Sequence, residues 1–179
     1  YSVYEARVVT EAARHAKVAT QLGNQGQADA MARMIQEYIL DNAIGPVREV
    51  YVPWGRGFWD PPEGPGRPQD TPPVPEGLDW NLWLGPAEER PYHPRYAPFN
   101  WRGWWDFGTG AMGDMACHLM DAAYWTLGLR YPSRITPEST VLFAETAPAM
   151  QRITYEFPAM GNRPGVTLNW RDGSLFPPR

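Results

Sequence analysis

Gly108-Thr-Gly110-Ala-Met-Gly113-Asp114-Met-Ala-Cys117-His118-Leu-Met-Asp121 admits two readings, and the choice between them decides the fold. Its first six residues match G-x-G-x-x-G, the phosphate-binding turn of a dinucleotide domain. That turn needs a hydrophobic strand before it and an acidic residue about 20 positions on. Trp104-Trp-Asp-Phe107 makes a poor buried strand, and Gly128 to Tyr131 holds no acid. The stretch therefore reads as a glycine-rich approach to a helix that runs to about Leu127 and stops near Gly128. The glycines would let the helix start come close to a ligand. On that helix Asp114 and His118 are i and i+4, and Asp121 is i+3 from His118, so all three share one face. A carboxylate one turn from an imidazole can hold its tautomer and raise its basicity, which suits a general base for a hydroxyl proton. The plainer alternative stays open: an Asp near a helix start is often a dipole partner, and a lone helical His often a satisfied core residue. Cys117 points about 100° away from His118 and reads as a small buried filler, not a nucleophile. Asp and His are acceptable metal ligands, but His15 and His93 lie elsewhere and no second ligand pair is visible, so no metal site is expected.

Working outward, Arg134 to Glu145, Met150 to Phe157 and Gly165 to Arg171 read as strands with short connections, which predicts an antiparallel sheet. Val47 to Trp54 alternates and is a further strand. Ser2 to Ala16 is a helix with Val3, Ala6, Val9, Ala13 and Ala16 at helical spacing, and Val18 to Leu22 is a short strand. Ala28 to Asn42 is a second helix whose apolar stripe is Met31, Met34, Ile35, Tyr38 and Ile39. Ala43-Ile44-Gly45-Pro46 ends it.

Residues 53–100 hold 12 of the 20 prolines, 6 glycines and 4 tryptophans, a density that excludes long regular elements. Trp54, Trp59, Phe99 and Leu78-Asp-Trp-Asn-Leu-Trp-Leu-Gly85 carry too much apolar surface to leave in water. The segment reads as a long ordered loop packed on a scaffold, the kind of loop that is usually functional. After it, Asn100-Trp101-Arg102-Gly-Trp104-Trp105-Asp106 sets aromatic faces beside a guanidinium and a carboxylate. Such faces suit a sugar ring or a nucleotide, and ordinary core tryptophan is the alternative.

Composition bounds the rest. The chain has 179 residues, 43% hydrophobic and 20% charged, as a globular fold requires. A net charge of −4 argues against a nucleic-acid binder. One cysteine excludes an internal disulfide, and no apolar run approaches membrane-spanning length.

Gly23-Asn24-Gln25, a helix ending Ala43-Ile44-Gly45-Pro46-Val47, Leu78-Asp-Trp-Asn-Leu-Trp-Leu-Gly-Pro86, Trp101-Arg102 and Gly110…Asp114-x-x-x-His118-x-x-Asp121 occur in that order. In this set the whole chain resembles the Gfo/Idh/MocA family, named for glucose–fructose oxidoreductase, inositol dehydrogenase and a rhizopine-catabolism protein, and within it a tryptophan-rich bacterial subgroup. The resemblance implies an α/β (α+β) fold: the end of a Rossmann domain, then a partial C-terminal domain with helices packed on an open, mostly antiparallel sheet. By it, residues 1–22 are the last helix and strand of the NAD(P)-binding domain. Residues 23–179 belong to the substrate-binding and oligomerisation domain, with the Pro/Trp-rich loop at 53–100.

The resemblance also implies the chemistry. His118 takes a proton from a sugar or polyol hydroxyl while NAD or NADP accepts the hydride, and Asp114 orients His118 or binds the substrate. Asp121, Trp104 and Trp105 are expected on the substrate side, and Asn24, Gln25, Trp101 and Arg102 on the cofactor side. A homo-oligomer formed through the sheet is expected, and no nucleic-acid or membrane partner.

The Rossmann glycine fingerprint and the Glu-Lys-Pro motif with its catalytic lysine are missing. Lys17 cannot replace that lysine, since it follows the wrong helix. The chain is therefore expected to be a fragment that lacks most of the dinucleotide domain and is inactive alone. Two alternatives remain on the sequence: an NAD-dependent glycoside hydrolase on the same scaffold, or a non-catalytic carbohydrate-binding or oligomerisation module. Location stays open between the bacterial cytoplasm and a twin-arginine-exported periplasmic protein.

Overall fold

The computed structural model describes residues 2–55, 66–173 and 175. Trp59, one of the aromatics expected to anchor the long loop, lies outside the described residues. Helix α1, Val3–Ala16, starts in a capping box: Ser2 Oγ accepts from the Glu5 amide (3.2 Å) and Glu5 Oε2 from the Ser2 amide (2.7 Å). It ends at Lys17, which is left-handed at φ 54. The strand expected at 18–22 does not form. A strand needs a neighbour for its amides and carbonyls, and no described strand lies beside this segment. None of α1 is buried.

The second helix is shorter than its periodicity suggested. Asp29 is extended and caps α2, Ala30–Leu40, by accepting from the Met31 amide (2.8 Å); Gln25–Ala28 before it forms a separate 3₁₀ turn. Its stripe is only partly packed. Met31, Met34, Ile35 and Tyr38 stay exposed, and α2 is separated from the sheet by an apolar groove of about 420 Å³.

Strand β1 is Glu49–Pro53, and after the long loop come helices α3 (Trp80–Leu84), α4 (Gly110–Leu119) and α5 (Asp121–Thr126). Strands β2 (Arg134–Ser139), β3 (Gln151–Phe157) and β4 (Val166–Arg171) follow. They make one sheet in the order β1-β4-β3-β2, with β1 parallel to β4 and the other pairs antiparallel. The fold is therefore α/β with an open, mostly antiparallel sheet. Ile153, Tyr155 and Phe157 of β3 sit opposite Trp170, Leu168 and Val166 of β4 on the inner face, where α4 and α5 cover them. The strand expected to reach Glu145 stops at Ser139. Beyond it, Val141 and Leu142 are exposed, and their alternation has no sheet face to bury.

The expected single helix from Gly108 to Leu127 is two, broken at Met120. The break is shallow. Met120 still donates to the Ala116 carbonyl (2.8 Å) and Tyr124 to the Met120 carbonyl (3.0 Å). The helical face is therefore continuous from Asp114 to Asp121.

The described part of the loop from residue 66 onward packs through its aromatics. Trp80 stacks on Trp83 at 4.7 Å, and Tyr96 meets Trp104 at 4.7 Å and Phe107 at 5.6 Å. Such pairs contribute about 0.5–1.5 kcal/mol each beyond their buried area. The indole N–H groups are satisfied as well: Trp80 Nε1 donates to the Arg90 carbonyl (2.7 Å) and Trp104 Nε1 to the Arg95 carbonyl (2.8 Å). Charge ties the same loop to the domain. Arg67 donates to Glu145 and Glu88, both at 3.0 Å, while the buried Arg90 pairs with Asp106 between the rings of Tyr96 and Phe107.

Candidate functional site

An open cleft of about 1000 Å³ lies along the exposed face of α4 and α5. Asp114, His118 and Asp121 form one wall, as their spacing predicted. Leu22, Gly23 and Asn24 face it from the start of the chain, Trp101 and Phe107 come from the preceding loop, and Tyr124 and Tyr155 also line it. The sheet places Tyr155, α5 places Tyr124, and the segment after α1 places Asn24. Four separate parts of the sequence thus meet here.

Gly108 stands just before α4, Gly110 and Gly113 lie in its first turn, and Gly108 and Gly113 line the cleft. A Cβ on Gly108 would lie 2.4 Å from the Arg102 carbonyl oxygen, and one on Gly113 2.1 Å from Thr109 Oγ1. Gly110 is left-handed at φ +67 and lies against Ala147. On their Cβ side these glycines admit Arg102, Ala147 and Thr109, so the chain packs closely at the start of the helix.

Asp114 is held by Arg102, at 3.5 Å from its Nε. Arg102 also donates to the Phe99 carbonyl (3.0 Å) and lies over the rings of Phe99 (4.3 Å) and Trp101 (4.6 Å). Arg102 does not itself line the cleft; it fixes Asp114, which does. Gln27, not Gln25, reaches Asp121, at 3.5 Å, while Gln25 is exposed in the 3₁₀ turn. Among the described residues His118 has no hydrogen-bond partner and is exposed. Asp114 therefore makes its recorded contact with Arg102 rather than with the imidazole. Cys117, expected to be a buried filler, is exposed in the cleft and its Sγ lies 3.4 Å from the Asp114 carbonyl.

Two tryptophans expected on the substrate side are elsewhere. Trp104 is 0% exposed in the aromatic cluster, so no ligand can touch it. Trp105 is exposed, but its Nε1 donates to the Phe143 carbonyl (3.1 Å) and its ring lies outside the cleft. Both follow from the local backbone bridge between Trp104 and Thr146, which turns the two side chains to opposite sides.

The sequence reading missed Tyr124 and Tyr155. Tyr155 sits between Ile153 and Phe157, on the inner-face parity of β3. The signal was its hydroxyl, a polar atom on an otherwise apolar strand face. Among the described residues neither hydroxyl has a hydrogen-bond partner. Burial raises both phenol pKa values, and the neighbouring Tyr124 raises that of Tyr155 further. Asn24 Oδ1 is also buried without a partner. No cluster of metal-ligating side chains occurs among the described residues.

No helix among the described residues is long and apolar enough to cross a membrane. No curated protein matches this chain. Residues 54–162 match the oxidoreductase family C-terminal alpha/beta domain. That match covers the aromatic loop, the Asp114–Asp121 wall and the first inner-face strand residues, and by it the chain belongs to the Gfo/Idh/MocA oxidoreductase family.

Proposed function

We propose that this chain carries the substrate and proton-transfer half of an NAD(P)-dependent oxidoreductase acting on a sugar or polyol hydroxyl. The observation that carries this reading is His118: an imidazole free of protein partners, standing in the cleft between two carboxylates on one helical wall. A group with its nitrogens uncommitted can accept the proton of a bound hydroxyl. Asp114, fixed by Arg102, and Asp121, within reach of Gln27, flank it on the same wall.

The residues present fit one end of a dinucleotide. The orphaned Asn24 Oδ1 would accept from a carboxamide N–H, and Trp101 offers an aromatic wall on the same cleft. In this reading residues 1–22 are the closing part of a dinucleotide domain and 23–179 the substrate domain. When bound, the dinucleotide supplies the hydride acceptor; the proton is left to His118.

The test is His118→Ala in the complete protein, assayed over sugars and polyols with either dinucleotide. Turnover is expected to fall by about 10²–10⁴ with dinucleotide affinity unchanged. Turnover at the unsubstituted rate removes His118 from the chemistry. The carbohydrate-module reading draws less support from this geometry, since Trp80, Trp83 and Trp104 use their faces on one another and on Tyr96 and Phe107. We further propose self-association through the outward sheet face, where Glu49, Tyr51, Glu138, Arg152 and Glu156 are exposed. Sedimentation with Arg152→Glu would show a monomer if that face is the contact.

A further inference from the structure

The resemblance puts Arg102 on the cofactor side of the cleft; the structure points it at Asp114. Its Nε lies 3.5 Å from Asp114 Oδ2, and the two side chains are only 24% and 25% exposed. The Arg102 backbone is pinned. Gly108, just before α4, packs so close that a Cβ there would lie 2.4 Å from the Arg102 carbonyl oxygen. The guanidinium is held too: it donates to the Phe99 carbonyl (3.0 Å) and lies over the rings of Phe99 and Trp101. A planar fork fixed at both stem and tip loses little further freedom in keeping one contact. Asp114 stands one turn before His118, and side chains at i and i+4 can reach each other on a helix face. The local default for this carboxylate is therefore the imidazole. Among the described residues no hydrogen bond joins the two, and Asp114 has Arg102 as its partner. His118 is thus left uncommitted by a residue that does not itself line the cleft.

We propose that Arg102 is a positioning residue that holds the Asp114 carboxylate off the His118 imidazole, so that the two line the cleft as separate groups. This rests on the reading of His118 as the proton acceptor. Without Arg102, Asp114 is released onto His118, and the ring then meets a ligand already hydrogen-bonded to its own helix. Arg102 acts through Asp114 and needs no contact with a dinucleotide. An ammonium keeps the charge but not the stacked fork, so lysine is an incomplete substitute.

The first readout is the ring-nitrogen NMR pattern of His118 in the full chain, in mildly alkaline buffer. It reports tautomer and hydrogen bonding, with no turnover required. Asp114→Asn in the otherwise unsubstituted chain should leave that pattern unchanged. This arm needs no change at Arg102 and so does not depend on how well an Arg102 variant folds. Arg102→Gln should change the pattern, and adding Asp114→Asn to it should restore the original. The second readout is kinetic, in the complete protein. Arg102→Gln should lower kcat by about 10- to 100-fold with dinucleotide affinity unchanged, and Arg102→Lys should fall between. A His118 pattern that moves on Asp114→Asn alone overturns the proposal, because the carboxylate then already holds the imidazole. So does a pattern that Arg102→Gln leaves untouched. Lost dinucleotide affinity with that pattern unmoved returns Arg102 to the cofactor side. If the NMR result holds while His118→Ala leaves turnover intact, the positioning stands and the proton-transfer role falls.

Discussion

Asp172 sets a pH dependence that can be worked through from its surroundings. It follows β4 and is 0% exposed. Its carboxylate accepts from the Gln151 amide (2.7 Å), Gln151 Nε2 (2.9 Å) and Trp170 Nε1 (2.9 Å). Burial works against the charge, the three donors work for it, and burial wins: the pKa is pushed up to about 6 from the usual 3.8. A carboxyl whose folded pKa is raised binds its proton more tightly when folded. Its contribution to stability is therefore full below pH 3.8 and is lost as pH rises through 6. The whole loss is about 3 kcal/mol, of which about 2–3 kcal/mol falls between pH 4 and pH 7.5. The perturbation is Asp172→Asn, which cannot titrate. The assay is urea unfolding followed by tryptophan fluorescence at steps across that range. The stability of the unsubstituted chain minus that of the variant should fall by that amount as pH rises. A difference that stays flat refutes the reasoning. A difference that rises means the three donors outweigh burial and the carboxylate is the favoured form.

Three other outcomes follow from the packing. Arg90→Ala strips the buried partner from Asp106 and empties the space between Tyr96 and Phe107; because Asp106 is partly exposed, a loss of about 2–3 kcal/mol is expected, read as a fall of roughly 5–10 °C in thermal unfolding. Arg67→Ala, on a half-exposed side chain, should cost under about 1 kcal/mol in the same assay. Gly110→Ala forces a left-handed alanine whose Cβ would sit 2.5 Å from that of Ala147, and should lower stability by about 2–4 kcal/mol by urea titration.

Much of the fold is written in local pattern. The capping box at Ser2 and Glu5, the period-two alternation of Ile153, Tyr155 and Phe157, and the helical spacing of Asp114, His118 and Asp121 all depend on near neighbours in the chain. These survive into the structure because helix and strand periods are backbone properties. The same local logic explains the errors. Val18 to Leu22 and Val141 to Phe143 have strand-like composition, yet a strand exists only where a second one pairs with it.

What the sequence alone determined is the order of motifs: the aromatic loop, the Asp114 to Asp121 wall and the sheet behind it, and with them the family. What only the tertiary structure decided is which polar atoms are left over. Trp104 and Trp105 are neighbours in sequence, but packing buries one and turns the other off the cleft. Asp114 stands one turn from His118, yet Arg102 holds it. Tyr155 has core parity, yet it lines the cleft beside residues from the start of the chain and from the α4–α5 region. The physical reason is that a hydrogen bond is a matter of distance in space. A sequence shows each donor and acceptor, and only the packed chain shows which ones the protein has not already used.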